Sequence, residues 1–150
     1  MRKDMTAGKK MSGIKVHIAV DTKGLPHAIC VTTANVQDRD GAIQMFSANT
    51  DNLTKVKKAL FDGAYTGEQF SNAVKKILGE DVEVEIAKRS ELHKFVVIPK
   101  RWIVERSFAW LEKCRRLWKN CERKLHTTMQ MISLAFTRLI LAGRIGIGIL

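Results

Sequence analysis

The chain has 150 residues, 45% hydrophobic and 27% charged, and carries a formal net charge of +11. That length supports a buried core, and the balance of apolar and charged residues excludes a disordered or fibrous polymer. No run approaches the ~20 apolar residues of a membrane span, and the polar opening Met1–Met11 lacks the apolar centre of a secretory signal.

Residues 1–13 are polar and contain glycine, which predicts a flexible lead-in. Lys15–Asp21 alternates β-branched and polar residues and predicts a strand. Thr22-Lys-Gly-Leu is a turn in which Gly24 is free to take positive φ. Pro26–Thr33 is then the returning strand of a hairpin, and a helix capped by Asn35 or Asp38 follows to about Ser47. Asn49–Asn52 reads as a loop and Val56–Asp62 as a buried strand.

Thr66–Leu78 places Phe70, Val74, Ile77 and Leu78 on one helical face and ends at Gly79. Val82–Ala87 alternates strictly and predicts a strand; Phe95–Ile98 is another short apolar piece, stopped by Pro99. One helix is expected from Pro99 to roughly Trp118, and a last one over about 127–141, with Leu125, Met129, Ile132, Phe136 and Leu139 spaced four and three apart. The glycine-containing end, 143–150, is expected to be a flexible tail. Together these predict an α/β domain over 14–142, built on one sheet with helices packed against it.

The three cysteines, Cys30, Cys114 and Cys121, are odd in number and lack Cys-x-x-Cys spacing. They read as free thiols in a reducing cytoplasm rather than as disulfides or zinc ligands. His17 and His27 fall on opposite strands of the hairpin, where they are candidate cross-strand neighbours; His93 and His126 lie in polar segments.

The charge is uneven. Residues 100–124 hold nine Lys or Arg against three Glu, a net +6. A field of that sign concentrates polyanions and suits nucleic acid, while a ribosomal or membrane surface, or a merely solvated face, stays open on charge alone. Within this basic segment Glu105 shares a helix face with Arg101 and Glu112, whereas Ile103, Trp110, Cys114 and Leu117 form a core stripe. Asp62 closes an apolar strand just before Gly63, the position where ligands gather in open α/β sheets. Each acid has a plain structural reading too: a strand-to-helix turn for Asp62, and a surface pair with Arg101 for Glu105.

Three ordered motifs give the chain a family resemblance. They are Asp62-Gly-Ala-Tyr-Thr-Gly67, Lys100-Arg-Trp-Ile-Val-Glu-Arg-Ser-Phe-Ala-Trp-Leu111, and Lys15–Asp21 running through Ala34-Asn-Val-Gln-Asp38. They resemble the second-Asp motif, the Glu-bearing helix and the intervening hairpin of DDE transposases of bacterial insertion sequences, over roughly residues 8–141. The resemblance implies a ribonuclease H-like mixed sheet with flanking helices, and acids that hold Mg²⁺ or Mn²⁺ for phosphodiester hydrolysis and strand transfer. It assigns Asp62 and Glu105 as catalytic metal ligands and makes double-stranded DNA the partner. Arg101, Arg106, Arg115, Arg116 and Lys119 are then expected to face that DNA. A homo-oligomer, no membrane contact and a cytoplasmic, nucleoid-associated location complete the expectation.

The family's first Asp ends a strand that should precede Lys15, and nothing in Met1–Gly13 matches it. Asp21 falls at the hairpin turn instead. That strand is central in the family's sheet, so its slot is expected to be empty, which predicts a split-frame partner of an upstream transposase polypeptide or a truncated remnant, inactive alone. The alternative is a non-catalytic DNA-binding or regulatory remnant. Trp102, Trp110 and Trp118 are expected to pack within their helix rather than to stack on bases.

Overall fold

The computed structural model describes residues 13–87, 101–118 and 122–144. Strands β1 (Ile14–Val20) and β2 (Pro26–Thr33) form an antiparallel hairpin, in register from Ile14 opposite Thr33 to Ala19 opposite Ala28, with a shift at Val20. Helix α1 (Asp38–Ala48) and a 3-10 turn, Thr50–Leu53, lead to β3 (Lys58–Phe61). Helix α2 (Glu68–Leu78) then crosses to β4 (Glu83–Ile86), which runs parallel to β3. A parallel pair needs such a crossover because its strands begin at the same end. Helices α3 (Arg101–Glu112), α4 (Arg115–Trp118) and α5 (Leu125–Leu141) complete the described residues.

The hairpin lies between two cores, which explains why both of its faces are apolar. On one side Ala19, Ala28 and Cys30 join Ala42, Met45 and Phe46 of α1 and Phe70 and Val74 of α2. On the other, Ile14, Val16, Ile18, Ile29 and Val31 meet Leu111 of α3 and Ile132, Ala135, Phe136 and Leu139 of α5. Strands buried on both faces lose the clean polar–apolar alternation of a half-solvated sheet. Phe61 of β3 and Val84 of β4 pack into the first of these cores, where Phe61 makes edge-on contacts with Phe46 and Phe70 at centroid distances of 5.9 and 5.0 Å.

Five expectations need correction. The strand expected to be buried over 56–62 is half-open: Lys58 and Leu60 are exposed, and Ala59 and Phe61 are only partly buried. The strands do not make one sheet: among the described residues β1 pairs only with β2, and β3 only with β4. Neither Asn35 nor Asp38 caps α1; Gln37 holds that position without a side-chain cap, and Asp38 is the first helical residue, paired with Lys15 at 2.9 Å. The helix expected through Trp118 stops at Glu112 and restarts at Arg115. The two hairpin histidines are not neighbours, since His17 lies opposite Cys30 and bonds Thr32, while His27 pairs with Asp21. Residues 95–98, the lead-in before Gly13 and the tail beyond Arg144 lie outside the described residues.

Candidate functional site

Asp62 follows β3 directly and caps the short 3-10 turn Gly63–Tyr65. Its carboxylate accepts from the Gly63 N–H and its carbonyl accepts from the Tyr65 N–H at 3.0 Å. The turn is fixed from two sides. Tyr65 packs against Phe61 and Phe70 at 5.7 and 5.4 Å, and Arg39, in the first turn of α1, reaches the Ala64 carbonyl at 3.4 Å. Burial pushes the Tyr65 phenol above its ordinary pKa, and the carboxylates of Asp38 and Asp62 push the same way.

Glu105 is exposed on α3, whose buried positions are Ile103, Ser107 and Leu111. Ser107 was not expected in the core from the sequence, because Ser rarely occupies such a position, yet it is fully buried. Its hydroxyl lies within hydrogen-bond distance of the Gly24 and Ile103 carbonyls, at 3.2 and 3.0 Å. Arg106 does not extend away from the protein. Its guanidinium lies 4.7 Å from the ring centroids of both Trp102 and Trp110, and its Nη2 donates to the Lys23 carbonyl at 2.7 Å. Trp102 and Trp110 thus both contact Arg106 within the helix, while Trp102 stays 54% exposed and the Trp118 side chain lies outside the described residues.

Among the other predicted cations, Arg115 and Arg116 are exposed, and Arg116 makes two bonds to one Glu122 oxygen at 3.2 and 3.0 Å. Arg101 opens α3, but its side chain lies outside the described residues, as does Lys119. Asp21 belongs to the turn: its carboxylate accepts from the Lys23 and Leu25 N–H groups at 2.8 and 3.0 Å and meets His27 at 3.2 Å. Burial works to raise its pKa, and these hydrogen bonds outweigh that effect and hold it below the ordinary value. Among the described residues no three His, Cys, Asp or Glu side chains converge as a metal site, and no helix is long and apolar enough to cross a membrane.

The geometry thus offers a strand-end acid, Asp62, and a helical acid, Glu105, on elements that pack against opposite faces of one hairpin. The profile of the transposase DDE domain family matches residues 1–140. The chain belongs to this family. A relative from Burkholderia cepacia, "Putative transposase for insertion sequence element IS402", is 32% identical over 119 residues. That match covers 75% of this chain and 55% of the relative, so the chain spans about half of the relative's length. No solved structure matches. Asp62 lies where β3 ends, and Glu105 lies on α3, whose two arginines and two glutamates balance in charge.

Proposed function

We propose that this chain supplies part of the catalytic unit of an insertion-sequence transposase, acting on double-stranded DNA through a divalent metal. The observation that carries the reading is family membership combined with the placement of Asp62, at the carboxyl end of β3, and Glu105, on helix α3 within the basic segment 100–124. Asp62 and Glu105 are hard oxygen donors, a chemistry that fits Mg²⁺ or Mn²⁺ better than zinc. When bound, such ions stabilise the attacking and leaving oxygens of a phosphoryl transfer. This chain's own part is to hold the two carboxylates and to present Arg101, Arg115, Arg116 and Lys119 to the DNA backbone, contacts that position a duplex without reading its sequence.

The reading includes a ribonuclease H-like sheet. The β1–β2 and β3–β4 pairs insert side chains into one shared core, yet among the described residues they are not paired with each other. An apolar strand ending in Asp, entering between β1 and β3, would join them and bring the third carboxylate. Unpaired strand edges recruit such segments readily.

The test is Mn²⁺-dependent nicking of supercoiled plasmid by the purified chain, alone and with a partner polypeptide that carries an apolar strand ending in Asp. The expected result is no cleavage alone and cleavage with the partner, lost in Asp62→Asn and Glu105→Gln. DNA binding without cleavage in both preparations would replace this reading with that of a non-catalytic regulator.

A further inference from the structure

The two residues that follow Glu105 along α3 are both tied to the β1–β2 turn, 83 positions earlier in the chain. Ser107 is fully buried against the Gly24 carbonyl. Arg106 donates to the Lys23 carbonyl while two indole rings flank its guanidinium, and its Nε is buried with no hydrogen-bond partner among the described residues. A side chain held in this way has given up the freedom with which an arginine seeks a phosphate.

The turn is shaped to receive the helix. Gly24 is buried and adopts φ +88°, in the region that favours glycine. A Cβ there would lie 3.1 Å from Arg106 Nη2 and Ser107 Oγ and 3.2 Å from Trp110 Cζ3, closer than ordinary packing allows. Ser107 is short and buried and Arg106 lies against both rings, so this part of the helix would have to give by a few tenths of an ångström. Any such movement carries Glu105 with it, because residues 105, 106 and 107 share one helical turn.

We infer that the β1–β2 turn is the seat that sets the orientation of Glu105, with Gly24, Arg106 and Ser107 as positioning residues. This rests on the reading of Glu105 as a metal ligand. Arg106 is thereby a positioning group for the acid beside it rather than a DNA contact.

The experiment compares the full chain with Arg106→Lys, which keeps the charge but loses the planar stack, and Gly24→Asn, which tolerates positive φ but adds a Cβ. Glu105→Gln is the control. Amide hydrogen exchange reports on α3, and Mn²⁺ affinity, read by electron paramagnetic resonance well below each melting temperature, reports on the acid. Each variant is expected to speed exchange across 103–111 by about tenfold while the β1–β2 ladder stays protected. Each should also weaken Mn²⁺ binding by about tenfold, as loss of an outer-shell support does. The double variant should be no worse than the worse single one, since both act on the same seat. Should Gly24→Asn fail to fold, Arg106→Lys carries the test by itself. Unchanged exchange in α3 overturns the proposal. So does faster exchange with Mn²⁺ affinity intact while Glu105→Gln weakens it, because the seat then holds the helix without aiming the acid. If Glu105→Gln leaves Mn²⁺ binding unchanged, the ligand reading has failed and the positioning role falls with it.

Discussion

The imidazole of His17 occupies the space in which a side chain on Gly41 would begin. Gly41 sits inside α1, where glycine ordinarily costs about 1 kcal/mol relative to alanine, and here it is what lets the helix lie against β1. His17 is 7% exposed and bonds Thr32 Oγ1 at 3.0 Å. Gly41→Ala should therefore destabilise the chain by about 1–3 kcal/mol through overpacking, despite the gain in helix propensity. Urea unfolding measures this directly, and a variant more stable than the parent would show that the ring gives way freely.

The same burial makes stability depend on acid. Desolvation lowers the His17 pKa below its ordinary 6.5; the nearby Asp38 carboxylate raises it and Lys15 lowers it, without reversing the net direction. A group whose folded-state pKa is depressed and whose charged form is the protonated one binds fewer protons when folded. Its contribution is present above about pH 6.5 and is lost as pH falls below that value. Urea midpoints between pH 8 and 5 should decline below about 6.5, and His17→Gln should flatten that segment of the curve. An equally steep decline in the variant would point to the carboxylates instead.

DNA binding should separate the arginines by their surroundings. Arg115→Ala with Arg116→Ala removes two exposed cations and should flatten the dependence of log K on log salt, by up to about 0.9 for each phosphate no longer neutralised. Arg106→Gln should leave the slope unchanged, since its guanidinium is engaged with the Lys23 carbonyl and two rings. A flatter slope in Arg106→Gln alone would return that residue to the DNA-facing set.

Asp62 and Glu105 should converge on one ion. Added Mn²⁺ should broaden the amide resonances of 61–64 and 104–107 together, because a shared ion with ligand distances near ~2.1 Å lies close to both backbones. Broadening of one set without the other would separate the two acids and remove the shared site.

Several features were legible in the residues themselves. The alternation of 15–21 and 26–33, the Gly24 turn, the Phe70–Val74 face of α2 and the Ile132–Phe136–Leu139 stripe of α5 all formed as spaced, because each is set by local periodicity and turn chemistry. The family was legible for a similar reason: ordered sequence patterns survive without knowledge of contacts. The tertiary structure alone decided the rest. Whether four strands make one sheet or two pairs depends on which edges meet, and period-2 patterns are blind to that. Arg106 looks like any surface arginine until the hairpin turn, 83 residues away, supplies a carbonyl for it. Ser107 reads as a polar position until the Gly24 carbonyl gives its hydroxyl a buried partner. Periodicity fixes which side of an element faces inward; only folding brings distant residues together and decides what a polar group meets there.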